Sequence, residues 1–402
     1  MRTLFALGLL LVVQALPASS AQSWSSAPSM GTARTGASGV VLDGRLYVMG
    51  GADASGTPLS TAEVFDPTTG WESIEDLNDA RVDAAAAVLN GQIILMGGRG
   101  RSGEAINKVE VYDAQLDRWE SFEDLDEERE GLGAVAFEGR LFAFGGADDD
   151  GGLLNTVEAY TSDWESYPEW VLAPPRARFG IVAFEEAVIL AGGFSTFGPL
   201  TRVDRYLPEQ ASTVSLPPLS VARGGITLAS ALGVLFAIGG RDASDAVRAD
   251  VEVLHPDAGS WIPIAPLPQA REGALSAVIG DDVYVVGGTD RFGSVLASVV
   301  SLSARAVDDE DGPNELRPSL RVVGANPARS QTAFEIGLPA PGSVRLRIVD
   351  VLGREVATLL DAVWPAGTER ISWDLSHLPS GLYHVCLDAP SGRMIVPVTR
   401  AR

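Results

Sequence analysis

The sequence is poor in the residues that most often carry disulfides, metals or acid–base chemistry. Cys386 is the single cysteine of the 402 residues, and His255, His377 and His384 are the only histidines. One cysteine excludes an intrachain disulfide framework, and so few thiols and imidazoles argue against a Cys/His zinc centre. Lysine is nearly absent too: Lys108 stands alone, so almost all of the 30 basic side chains are arginine, set against 53 acidic ones for a formal charge of −23. A chain this acidic lacks the basic footprint that displaces counterions, which argues against a nucleic-acid partner. Gly-x-Ser-x-Gly, His-Glu-x-x-His and phosphate-loop patterns are missing, so no catalytic residue, metal or cofactor is expected. What is present is ordinary: 46% apolar and 21% charged residues, and a length that suggests two or three globular domains.

Long apolar runs are missing beyond the N-terminus. Residues 1–21 read MRTLFALGLLLVVQALPASSA, with Arg2 as the positive start, an apolar run from Leu4 to Leu16 and small residues Ser19-Ser20-Ala21 at the end. This pattern predicts a secretory signal peptide. The run is shorter than the roughly 20 residues that span a bilayer, and no cysteine follows to take a lipid. The mature chain is therefore expected to hold no transmembrane segment.

Charge locates a boundary. Residues 22–304 carry 18 basic and 41 acidic groups, whereas residues 319–402 carry 9 and 7. Between them, residues 305–318 form an acidic, proline-bearing stretch that reads as a linker. The expected domains are thus 22–304 and 319–402.

The large region repeats. Glycine pairs fall at Gly50-Gly51, Gly97-Gly98, Gly145-Gly146, Gly192-Gly193, Gly239-Gly240 and Gly287-Gly288, at intervals of 47 or 48 residues, each closing a short apolar run such as LYVMGG or LFAFGG. Such runs fit strands buried on both faces. Sixteen residues before each pair stands an arginine: Arg34, Arg81, Arg129, Arg176, Arg223 and Arg271. Thirteen to fifteen residues after it comes Glu-x-aromatic, as at Glu63-Val64-Phe65, Glu110-Val111-Tyr112 and Glu158-Ala159-Tyr160. About 22 after it sits Trp71, Trp119 or Trp261, with Tyr167 standing in once. Each unit predicts four short strands.

These residues resemble the kelch repeat, whose Arg-x-Gly, Gly-Gly, Glu-Val-Tyr-Asp and Trp elements are all met by Arg34-Thr35-Gly36, Gly50-Gly51, Glu63-Val64-Phe65-Asp66 and Trp71. The resemblance covers about residues 22–304 and implies an all-β fold, a six-bladed β-propeller. Two units depart from it: Val214 replaces the fourth tryptophan, and the sixth unit has neither tryptophan nor glutamate. Trp24 precedes Gly50 by the same 26 residues that separate Trp71 from Gly97, so the N-terminal segment is expected to complete blade six and close the ring.

From Asn326-Pro327 onward, strand-like alternation with turns at Pro341-Gly342, Leu352-Gly353 and Ala366-Gly367 predicts a small immunoglobulin-like sandwich. Leu338-Pro339, Asp350-x-x-Gly353-Arg354, Trp373-Asp374 and Ser380-Gly381-Leu382-Tyr383 make it similar to the C-terminal sorting domain of type IX (Por) secretion cargo, and a related flagellar-hook-capping domain shares the same strands. The resemblance implies the type IX machinery as a partner, and a secreted or outer-surface protein.

Chemistry is sparse. His255 falls at an outer strand end and is expected on the surface, and Cys386 is expected as a buried, inert thiol. Asp148-Asp149-Asp150-Gly151-Gly152 lacks calcium-loop spacing and reads as a solvated turn. The copper radical oxidases, which also use a kelch-like propeller, are rejected because this region lacks their histidines and cysteine. The arginines remain. In a kelch blade the first strand's start and the loop after Gly-Gly emerge around the channel mouth, so that face is expected to carry Arg34, Arg81, Arg129, Arg176, Arg223 and Arg271, with Arg178 beside Arg176. Arg99, Arg101, Arg241, Arg248 and Arg291 could join them, near Phe194, Phe197 and Phe292. Two roles stay open for the repeated arginines: packing within the blade, or contact with a ligand whose carboxylate or phosphate suits a guanidinium. The expected function is a non-enzymatic binding module for a protein or an acidic glycan. The alternative is an enzyme resembling the six-bladed sialic-acid mutarotases, which a channel glutamate beside two or more repeat arginines would favour.

Overall fold

The structure is a computed structural model that describes residues 23–167, 170–208, 212–255, 258–308, 319–323, 328, 330–338, 341–350, 354–365, 367–389 and 392–400. The expected signal peptide, residues 309–318 of the acidic stretch, and Asn326-Pro327, Pro339, Leu352-Gly353 and Ala366 of the tail lie outside them. The chain divides into two compact units, Met1–Asp308 and Asp309–Arg402.

In the first unit each repeat folds as its punctuation dictates: apolar runs become strands, and two-residue turns close the first hairpin of each blade, Asp43-Gly44 in blade one and Asn90-Gly91 in blade two. Blade one holds Ser38–Leu42, Arg45–Met49, Ala62–Asp66 and Gly70–Ile74 in an antiparallel sheet. Blades two to five repeat the order, their innermost strands being Ala85–Leu89, Gly133–Phe137, Gly180–Phe184 and Thr227–Ala231. Blade six joins Leu275–Ile279, Asp282–Val286 and Val299–Ser303 to the N-terminal strand Ser25–Ala27, which pairs with the last of these. The innermost strands touch in sequence, and the first touches the sixth, so the ring is closed. They approach closely because small residues line them. A β-carbon on Gly180 would lie 2.6 Å from Leu228 Cγ.

The core lies between blades rather than along the axis. Tyr47, Met49 and Val64 of blade one meet Ile93, Leu95 and Tyr112 of blade two, and Leu46, Val48 and Phe65 meet Leu275, Tyr284 and Val286 of blade six across the closure. Each such side chain contributes about 1.5–3 kcal/mol by leaving water.

Three expectations need correction. The tryptophan place of blade three is filled by Trp164, not Tyr167: its hairpin is shorter, pairing Tyr160 with Trp164, and the Trp164 indole donates to the Glu123 carbonyl as Trp119 does to Glu75. Tyr167 instead stacks on Trp170, ring centroids 3.9 Å apart. His255 is buried rather than on the surface, and Ala258 N–H donates to its carbonyl. The start of the expected linker is a helical turn, Ala304–Asp308, whose Val307 packs against the blades and whose Arg305 pairs with Asp281.

The second unit is a sandwich of two antiparallel sheets. One contains Ser319–Val322, Gln331–Leu338 and Gly367–Asp374; the other contains Glu355–Trp364, Gly342–Asp350, Gly381–Ala389 and Gly392–Arg400. Its core is built on Phe334, Ile348, Trp373 and Tyr383, and Cys386 is buried. Among the described residues, no helix is long and apolar enough to cross a membrane.

Candidate functional site at the propeller mouth

The six repeat arginines do not reach the mouth. All are at most 1% exposed, enclosed within their blades. In blade five, Arg223 Nη1 donates to the carbonyls of Gly239 (2.8 Å) and Asp250 (2.9 Å), while Nη2 donates to Glu252 Oε1 at 2.7 Å. Arg34 does the same with Gly50, Thr61 and Glu63, and Arg129 with Gly145, Thr156 and Glu158. Arg81 pairs with Glu110 and Arg176 with Asp204. The guanidinium thus satisfies the carbonyl of the first Gly-Gly residue and adds a second donor to the carbonyl that accepts that glycine's N–H, which the flat five-donor fork suits. The partner carboxylate then accepts backbone N–H groups, as Glu63 does from Gly31 and Thr32. Burial pushes the guanidinium of Arg34, Arg81, Arg176 and Arg223 below the usual arginine range, and their carboxylates pull the other way. In blade six the partner position is Val300, and Arg271 holds only Gly287, Ser298 and the Ser298 hydroxyl. Burial lowers it to about 10.

The mouth belongs to the residue two places after each arginine: Gly36, Asp83, Gly131, Arg178, Gly225 and Gly273. Each donates its backbone N–H to the carbonyl of the member before it, Gly36 to Gly273, Asp83 to Gly36 and so on, at 2.7–2.9 Å. Six hydrogen bonds therefore form a closed circle around the axis. Above it lies a cavity of about 320 Å³ that takes lining residues from every blade, among them Thr35, Asp83, Arg99, Arg178, Phe194 and Glu272.

Charge at this mouth is matched rather than positive. Arg178 Nη2 lies 2.5 Å from Asp83 Oδ2, Arg99 Nε lies 2.7 Å from Glu130, and Arg241 grips Glu272 with two donors. Asp83, first, and then Glu130 and Glu272 raise the Arg178 guanidinium above its usual range.

Of the expected ligand-binding residues, then, Arg178 lies in the cavity, while Arg34, Arg81, Arg129, Arg176, Arg223 and Arg271 are interior. Among the loop residues, Arg99 and Phe194 line the mouth and Arg241 borders it; Arg101 lines a separate cavity beside Asn78 and Lys108, and Arg248 pairs with Asp242 and Asp250. Phe197 is 98% and Phe292 77% exposed, at the tips of loops whose first residues reach the mouth. Asp148 caps its own turn by accepting from Gly152 N–H, and no cluster of metal-ligating side chains occurs among the described residues. Sequence reading missed Asp83, Glu130 and Glu272. The signal for Asp83 was its break of the Arg-x-Gly pattern, shared only with Arg178.

Comparison with known proteins follows the two units. The KLHDC2/KLHL20/DRC7 Kelch-repeats domain matches residues 84–288, the Kelch motif matches residues 33–74, and a secretion system C-terminal sorting domain matches residues 325–396. Among solved structures, YjhT is similar in fold, with a TM-score of 0.58 and 14% identity over 68% of this chain and 96% of that one. No curated protein matches.

Proposed function

From the premise that the chain belongs to the kelch-repeat family and carries a secretion sorting domain, we propose an exported binding protein that meets a protein or glycan ligand at the propeller mouth. The observation that carries this reading is the cavity over the backbone circle, framed by three guanidinium–carboxylate pairs and by loops that hold Phe197 and Phe292 in solvent. Neither the pairs nor the exposed rings belong to the repeated arginine contacts that tie each blade together. Exposed aromatic rings beside a polar concavity suit a ligand that stacks and hydrogen-bonds.

The anionic ligand expected from sequence rested on a cluster of repeat arginines, and those arginines are interior. The sugar-acid enzyme alternative loses the same support, since the channel glutamate, Glu272, pairs with Arg241 rather than with repeat arginines. The test is a binding screen of the secreted full chain against neutral and acidic glycans and envelope proteins, with anomer interconversion monitored for sugars. Thr289 lines the cavity, and a Thr289→Trp variant should lose the ligand. Retained binding in that variant overturns the reading.

A further inference from the structure

The backbone circle needs no side chain, and four of its six members are glycine, with φ between 57° and 62°. Side chains enter that left-handed region at a cost. Asp83 (φ 56°) and Arg178 (φ 51°) nevertheless adopt it. Asp43, Asn90, Glu138, Glu185 and Leu232 share the conformation in two-residue hairpin turns where it is routine, and Asp117 and Asp245 in longer exposed loops. Asp83 and Arg178 sit in no such turn, and they are the two circle residues whose side chains meet. Arg178 passes over blade three to do so: a β-carbon on Gly131 would lie 2.9 Å from Arg178 Cγ. Backbone strain kept at two places that face each other over a cavity points to a ligand.

We infer that the Asp83–Arg178 pair reads the end of an uncharged, hydroxyl-rich sugar, Arg178 donating to its oxygens and Asp83 accepting from its hydroxyls. This rests on the mouth being the ligand face. Arg178 is half-exposed and has five N–H donors, of which one is spent on Asp83. Adjacent sugar hydroxyls both accept and donate, so they bridge a guanidinium and a carboxylate without breaking the pair. An anion must instead enter beside Asp83, Glu130 and Glu272, whose charges already act on Arg178. Phe179, Phe194 and Leu132 supply apolar wall for the C–H face of a sugar ring.

The experiment is calorimetry on the secreted full chain with methyl glucoside, methyl galactoside and methyl mannoside, set against glucuronic and galacturonic acids. Arg178→Gly and Asp83→Gly restore the residue that four blades use, so both variants should unfold at the parent temperature or above. At least one neutral glycoside should bind, each glycine variant should weaken it tenfold or more, and the uronic acids should bind at least tenfold more weakly. Tighter uronate binding, glycine variants that bind like the parent, or a parent that binds no glycoside would each overturn the inference. Thr289→Trp separates the two readings. If it abolishes uronate binding, the mouth remains the ligand face and only the neutral sugar falls; if it leaves sugar binding intact, both fall.

Discussion

The Trp24 indole N–H donates to the Ala265 carbonyl, 2.9 Å away and 241 residues along the chain. It does for blade six what Trp71 does for blade one by donating to Pro28, and what Trp261 does for blade five by donating to Pro217. The strand beside it covers the Val299–Ser303 edge. Removing residues 22–33 should therefore uncover a sheet edge and lose the buried Met30. A fall in unfolding temperature, with self-association on size-exclusion chromatography, is the expected result. A monomer that unfolds with the parent would show that closure lies elsewhere.

The ring and its closure were legible because spacing alone reports them: glycine pairs every 47 or 48 residues and a tryptophan 26 residues before the next pair. The site was not legible in the same way. Arg176 and Arg178 differ by two positions, yet one is enclosed against Asp204 and the other opens into the cavity. Spacing marks where an arginine recurs, but the Gly192 carbonyl and the Asp204 carboxylate decide that Arg176 points inward. Trp164 escaped for a related reason, since a shortened hairpin moves the residue and keeps its place in the sheet.

The loops around the mouth should loosen in acid. Asp53 and Asp242 are held below the usual carboxylate range chiefly by the hydroxyls of Ser55 and Ser244, and Asp290 by the Ser294 N–H. A closed loop with a depressed carboxylate takes up a proton on opening, so its protection is present above about pH 4 and lost as pH falls through the depressed value. The protection factors of the Thr57, Ala246 and Ser294 amides, which donate to these carboxylates, taken as exchange relative to the intrinsic rate at each pH, should fall on that descent. Asp→Asn variants should exchange at a rate that no longer follows this titration.

Export should depend on the second unit without the first unit needing it to fold. The sandwich has its own core around Trp373, and the blades have theirs. In a host that owns the type IX system, a chain ending at Pro318 should accumulate in the periplasm with the blades' unfolding temperature unchanged. Its arrival at the surface at normal levels would show that the sorting domain is dispensable.

Arg223 and Arg271 make the last comparison, because blade six lacks the carboxylate that blade five supplies. Arg223→Met leaves Glu252 buried and without its cation, which costs about 3–5 kcal/mol. Arg271→Met takes the donor from the Gly287 carbonyl and the Ser298 hydroxyl, while the Ser298 carbonyl keeps the Gly287 N–H, a loss of about 1–3 kcal/mol, and it also removes a desolvated charge. Denaturant unfolding should thus show the blade-six variant as the milder of the two. Alkali separates them further. The folded Arg271 releases its proton near 10, below the unfolded chain. Burial's penalty therefore stands at neutral pH and is relieved as pH rises through that value, because the unfolded state then holds more protons. Parent minus Arg271→Met stability should be flat below about pH 10 and climb as pH rises above it. A flat difference would mean that the buried guanidinium of blade six keeps its proton without a carboxylate beside it.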